Sequence, residues 1–232
     1  MEQPKERAIV FVDGNNLSLG LKVCYGIERL DLEPFCKHIV QDRELKAIYY
    51  ADAHYLQERG SENYRRQQAY FSHIRRVKGL IFRQGYYSRW TTPPVEKLVD
   101  VHLATDLVDL CHRDEFDVAY VVSGDTDLAP AVDVVVGWGK LVINVYLDHP
   151  KRSSYGLRAH CQGRFKHITR ALAEQFEWTG ARRRGNEKPE PFGTALFTEE
   201  WKRLWTFVKR LPRKPKLLLF LGIMGSVGIV FR

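Results

Sequence analysis

The chain has 232 residues, 44% of them hydrophobic and 12% aromatic, which excludes global disorder and suits one α/β domain with an appendage. Lys and Arg total 36 against 28 Asp and Glu, a formal net charge of +8, a balance that attracts phosphates but is also met in merely soluble basic domains. The 4 cysteines form no CxxC pair and no ligand spacing with histidine, which argues against zinc and redox chemistry, and the charged start (residues 1–7) lacks an apolar signal region, so a cytoplasmic location is expected.

Residues 8–13 read as a first strand, with 9–12 apolar throughout as in a strand buried on both faces. Gly14-Asn15-Asn16 then turns, and 17–23 begin a helix. Asp31 stands where it can cap a helix through Ile39, with Glu33 in the first turn. Residues 45–50 form a second strand ending at Ala51-Asp52. A polar loop at 59–63 leads into a helix over 64–77, with Ala69, Tyr70, Ile74 and Val77 near helical spacing. Gly79 stops that helix, and 80–82 form a short third strand. Residues 85–94 read as a loop carrying Tyr86, Tyr87, Arg89 and Trp90. Such a group either stacks nucleobases and holds phosphates or packs on the sheet.

Residues 96–110 form a helix buried on one side, with Lys97 and Asp100 near its start and Asp106 nearly two turns on. A strand at 118–122, a helix at 127–136 with Pro130 in its first turn, a strand at 141–146 and a helix at 165–176 complete the series. Strands alternating with helices imply a parallel sheet with right-handed crossovers. A domain over 1–180 is therefore expected, followed by a charged, Pro-bearing linker at 181–197 and a C-terminal helix and apolar tail at 198–232.

Two strands end abruptly in acid: Asp13 follows the first, and Asp125 and Asp127 follow the strand at 118–122. In an open α/β sheet, reacting groups gather where strands end and helices begin. Aspartates converging there repel one another unless a cation or proton is bound, and hard divalent ions such as Mg²⁺ or Mn²⁺ prefer oxygen ligands. Hydrolysis of a phosphodiester needs such an ion to acidify an attacking water and neutralise phosphate oxygens. Asp13, Asp100, Asp125 and Asp127 are the candidate ligands, with Asn16 and Ser123 as supporting partners. A lone strand-end Asp is usually a cap or turn former, and one of Asp125 and Asp127 could be only that. Asp106 has two readings, a pocket role or a hydrogen bond to a backbone amide.

At three segments the chain resembles the NYN domain family, a branch of the PIN-like nucleases. They are Ile9-Val10-Phe11-Val12-Asp13-Gly14-Asn15-Asn16-Leu17, Lys97-Leu98-Val99-Asp100-Val101-His102-Leu103-Ala104-Thr105-Asp106, and Val121-Val122-Ser123-Gly124-Asp125-Thr126-Asp127-Leu128. The resemblance implies a Rossmann-like three-layer α/β/α fold with a mainly parallel central sheet, an acidic metal site and cleavage of single-stranded RNA. Carried over by position, it makes Asp13, Asp100, Asp125 and Asp127 the metal-site carboxylates and Asn16 the supporting amide. Position 98 is Leu where many relatives have a small residue, with little effect expected on the chemistry.

The leading expectation is an Mg²⁺- or Mn²⁺-dependent endoribonuclease that leaves a 5′-phosphate, with Lys97, Arg89, Tyr87 and Trp90 on the RNA. A rival is an inactive RNA-binding or regulatory module on the same fold, and a third is a phosphatase or nucleotide hydrolase. The chain has no Walker-type loop and no GxGxxG. The sequence is compatible with a homo-oligomer without specifying one. The apolar residues 217–231 would reach only about 22 Å as a helix, short of the roughly 30 Å hydrocarbon core. A short membrane anchor, a segment folded back on the domain and a reading-frame oddity all remain open for it, the basic residues 210–216 suiting anionic headgroups.

Overall fold

The computed structural model describes residues 4–53, 61–88, 90, 94–149 and 155–180. In chain order the elements are β1 (Arg7–Asp13), α1 (Gly14–Tyr25), α2 (Leu32–Val40), β2 (Glu44–Ala53), α3 (Ser61–Ile74), β3 (Leu80–Tyr87), β4 (Glu96–Lys97), α4 (Val99–His112), β5 (Val118–Val122), α5 (Ala129–Gly137), β6 (Leu141–Leu147), α6 (Tyr155–His160), β7 (Phe165–Ile168) and α7 (Arg170–Gln175). The sheet has seven strands in the order β4-β3-β2-β1-β5-β6-β7. Every pairing is parallel except β3 with β4. The chain winds outward from β1 in one direction through β2 and β3, then returns to place β5 on the other side of β1. That reversal opens a crevice beyond the C-terminal ends of β1 and β5, where ligands bind in folds of this kind.

The continuous apolar run of β1 follows from burial on both faces. Ala8, Val10 and Val12 join one core layer with Leu21, Phe35, Tyr50 and Phe71, while Ile9 and Phe11 join the other with Tyr49, Leu103, Leu107 and Val132. The first layer is covered by α1, α2 and α3, the second by α4 and α5. All four cysteines are free thiols in buried positions; Cys36 lies in the first layer, Cys111 and Cys161 in the second.

Five expectations are corrected. Residues 85–87 belong to β3 rather than to a loop, and Glu96 and Lys97 form β4 ahead of the helix, pairing with Tyr87 and Tyr86. Gly85 permits this pairing, because a Cβ there would stand 2.6 Å from the Lys97 carbonyl oxygen. Residues 165–176 split into β7 and α7. The open edge of β6 recruits the first half as a strand, and Thr169 caps the second by accepting from the Leu172 amide at 3.2 Å. The helix expected from 127 begins as a 3-10 turn over Thr126–Leu128, and α5 takes over at Ala129. Asp31 occupies the N-cap of α2 without capping it; its carboxylate instead meets His73 Nε2 at 3.3 Å. Leu98 has φ +75°, in the left-handed region that favours glycine.

No helix of the described residues is long and apolar enough to cross a membrane. The expected linker at 181–197, the helix from 198 and the tail at 217–231 lie outside the described residues.

Candidate metal centre

Asp13 ends β1 and is at once the N-cap of α1. Its Oδ1 accepts the Asn16 amide at 2.9 Å, and its Oδ2 accepts the Ser123 hydroxyl at 3.1 Å. Ser123 Oγ in turn accepts the Asp125 amide at 3.0 Å, and Asn16 Oδ1 accepts the Gly124 amide at 3.0 Å. The two acidic strand ends are therefore tied together by the small polar residues that follow them. From beneath, the buried Asn144 of β6 donates to the carbonyls of Val121 and Ser123, fixing the path on which β5 exits.

The carboxylates of Asp100, Asp125 and Asp127 each offer an oxygen within 4.8 Å of the others. Asp100 comes from the first turn of α4, and the other two flank the start of the 3-10 turn. Asp125 does cap that turn, accepting the Asp127 amide on Oδ1 at 3.0 Å, and it still belongs to the triad. Burial first, then the charges of Asp125 and Asp127, hold the Asp100 carboxyl above its ordinary range. Asp13 is not one of the three. It stands deeper, 3% exposed, and burial pushes its carboxyl up to about 7. The Asn16 amide and Ser123 hydroxyl oppose that rise, while the charges of Asp100 and Asp52 reinforce it.

Two acids of this region had not been singled out as site residues. Glu96, in β4, is pushed up to about 8 by burial and by the charges of Asp52, Asp13 and Asp100, against a hydrogen bond with Tyr87. Its Oε2 is buried and has no hydrogen-bond partner among the described residues. Asp52 ends β2 as Asp13 ends β1, so its position at a strand end was visible in the sequence. It is neutralised from behind, accepting Tyr50 Oη at 2.7 Å and Arg29 Nη1 at 3.1 Å. The Arg29 guanidinium lies over the Tyr70 ring at 5.1 Å. Gly14 seals this network against α1, because a Cβ there would lie 2.2 Å from Tyr50 Oη.

The remaining expected residues are not gathered at the triad. Asp106 makes a two-pronged ion pair with Arg83, both contacts at 2.8 Å. Tyr87 packs against the second core layer, and its hydroxyl lowers the Glu96 carboxyl against the effect of burial. Lys97 is exposed beside it, and Trp90 is 97% exposed. Arg89 lies outside the described residues. A cavity of about 110 Å³ opens beside Asn15, with Lys22, Arg29, Arg66 and Trp178 among its walls.

The donor set at the triad is all oxygen, and it is all carboxylate. Both features fit a hard divalent cation with water in its shell.

A family model described as the NYN domain matches residues 7–169. Among solved structures, a protein of unknown function from Vibrio parahaemolyticus RIMD 2210633 aligns with a TM-score of 0.57 and 21% identity, covering 72% of this chain and 96% of that one. That likeness concerns the fold alone. No curated protein matches the chain.

Proposed function

The chain belongs to the NYN domain family, and from that premise we propose that it is a metal-dependent endoribonuclease acting on single-stranded RNA. The observation that carries the proposal is the convergence of Asp100, Asp125 and Asp127 within 4.8 Å at the crevice between β1 and β5. These three would hold Mg²⁺ or Mn²⁺, which when bound supplies Lewis-acid charge and a more acidic water. Asp13 backs the triad: its links to Asn16 and Ser123 fix the loop on which Asp125 and Asp127 ride. Asp13 itself takes up or releases a proton near neutrality, which suits a group beside a reacting phosphate. The basic side chains Lys22 and Arg66 stand beside Asn15, each also paired with Glu28, and the chain's excess positive charge, which falls in residues 181–232, adds attraction for a phosphate strand.

The test is cleavage of a labelled, mixed-sequence single-stranded RNA in EDTA, Mg²⁺ or Mn²⁺. Metal-dependent cutting is expected, giving 5′-phosphate ends and falling at least about 100-fold in Asp100→Asn or Asp125→Asn. Equal cutting by parent and variants would remove the triad from the chemistry. RNA binding without metal-dependent turnover would identify an inactive, RNA-binding member of the family.

A further inference from the structure

The cavity beside Asn15 is lined by groups that the triad does not use. Asn15 comes from the first turn of α1, Asn63 and Arg66 from α3, and Lys22, Glu28 and Arg29 complete the polar wall. At about 110 Å³ it is well below the roughly 300–1,000 Å³ of pockets that enclose a whole small molecule, so it takes one group of a ligand. Its charges do not cancel. Glu28 is the one acid among the described lining residues, 2.9 Å from Arg66 but 3.7 Å from Lys22, too far for a hydrogen bond. Arg29 is held from behind by Tyr50 and Asp52, both at 3.1 Å, and even counting Asp52 three cations meet two acids. The side-chain amides of Asn15 and Asn63 have no hydrogen-bond partner among the described residues. Over residues 1–180 acidic and basic side chains balance, so this surplus is local. Cations and amide donors that converge around a single acceptor make a site for an anion.

The chain itself ties this cavity to the acidic loop. Asn15 precedes Asn16, whose amide reaches Asp13 Oδ1 at 2.9 Å and whose Oδ1 accepts the amide of Gly124, the residue before Asp125, at 3.0 Å. A polyanion crossing the ends of β1 and β5 meets acid on the α4 side and this basic cavity on the α1 side. We propose that the cavity is a phosphate-binding subsite: Lys22 and Arg66 take a non-scissile phosphate of the strand, Asn15 and Asn63 donate to its oxygens, and the phosphate displaces the Glu28 carboxylate from the two cations. Without a ligand, Glu28 keeps those cations together. The phosphate chemistry stands on the cavity alone; its source in an RNA strand rests on the ribonuclease reading above.

The experiment titrates the full chain in EDTA with inorganic phosphate by calorimetry, and with labelled single-stranded RNA by fluorescence anisotropy. The parent should bind phosphate with millimolar affinity, and Lys22→Gln combined with Arg66→Gln should weaken it at least about tenfold. Asn15→Asp exchanges two donors for a negative charge yet suits the first turn of a helix, so it should lose as much while melting within about 2 °C of the parent. Glu28→Gln should tighten phosphate about threefold, because the competing acceptor loses its charge; a purely structural Glu28 would not. Lys46→Gln, at the far end of β2, should match the parent. For RNA, the slope of log affinity against log salt should fall by about 0.7 for each phosphate contact removed. With Mn²⁺ the double variant should raise KM about tenfold and leave kcat within about threefold. A parent that binds no phosphate, variants that bind it as the parent does, or equal losses in Lys46→Gln would overturn the proposal. Unchanged or weaker binding in Glu28→Gln would overturn it as well. Variants that lose phosphate but hold RNA like the parent would overturn the strand as its source, making free phosphate or a nucleotide the ligand. If phosphate binding follows the variants but the parent cuts no RNA, the nuclease reading falls and the subsite stands.

Discussion

Replacing Asp13 with Asn should make the cation-free protein more stable, and by an amount that depends on pH. The folded carboxyl is raised from its ordinary 3.8 to about 7, chiefly by burial. At 1.36 kcal/mol for each pH unit, that difference is worth about 4 kcal/mol. The direction follows from proton linkage. Below pH ~4 the residue is protonated in both folded and unfolded chains, and no penalty exists. Between pH ~4 and ~7 the unfolded chain ionises while the folded one holds its proton, so the parent loses stability progressively; above ~7 the loss is complete. An amide has no such dependence. It can still accept the Asn16 amide, and the Ser123 hydroxyl can turn to accept from it. Urea unfolding in EDTA should therefore show Asp13→Asn ahead by about 4 kcal/mol at pH 8 and near parity at pH 4. Added Mg²⁺ should narrow the gap at pH 8, since the cation offsets the negative field. A difference that does not change with pH, or a variant less stable at pH 8, would refute the reasoning.

Gly14→Ala should cost about 3 kcal/mol in chemical unfolding, because its Cβ would stand 2.2 Å from Tyr50 Oη and 2.8 Å from Asp52 Oδ2 in a buried ion-paired network. A loss under about 1 kcal/mol would show that the Tyr50 ring can yield. Asp106→Asn should lower stability by about 2 kcal/mol through the broken pair with Arg83, while Mn²⁺ affinity measured by titration stays that of the parent. Lost Mn²⁺ binding would return Asp106 to the pocket. Trp90→Ala should leave stability within about 0.5 kcal/mol, given its exposure, yet weaken single-stranded RNA about fivefold in fluorescence anisotropy. Unchanged affinity would take Trp90 off the RNA path.

The parallel sheet and the strand-end acids were legible because both leave local marks. A strand buried on two faces must be apolar throughout, and an abrupt Asp after it is hard to hide, as at Asp13 and Asp125. Which acids meet was less legible. Asp100, Asp125 and Asp127 converge because α4 crosses behind β1, a fact of winding with no trace in the spacing of the residues. Asp106 lies only six positions after Asp100, yet it turns to Arg83, a partner 23 residues upstream and just past the expected third strand. The errors at 85–97 and 165–168 share one origin. Short edge strands such as β4 and β7 form because a neighbour offers an open row of backbone groups, and tertiary context of that kind overrides local propensity. Glu96 escaped notice for the same reason, since its segment reads as the start of a helix.

The distribution of the thiols makes the two halves of this domain separately addressable. A buried thiol reacts only as thiolate, and burial raises the Cys36, Cys111 and Cys161 thiols alike, so labelling must wait for the surrounding structure to open. Cys36 reports on the layer beneath α2, whereas Cys111 and Cys161 report on the layer beneath α4 and α5. Each side of the sheet thus carries its own clock, and labelling times convert to opening free energies layer by layer. The triad rides on the second layer, with Asp100 on α4 and Asp125 and Asp127 leading into α5, while Asp13, tied to their loop through Ser123, caps α1 on the first. A cation that binds there should slow both clocks together, because it ties α4 of one layer to the Asp13 end of α1 in the other.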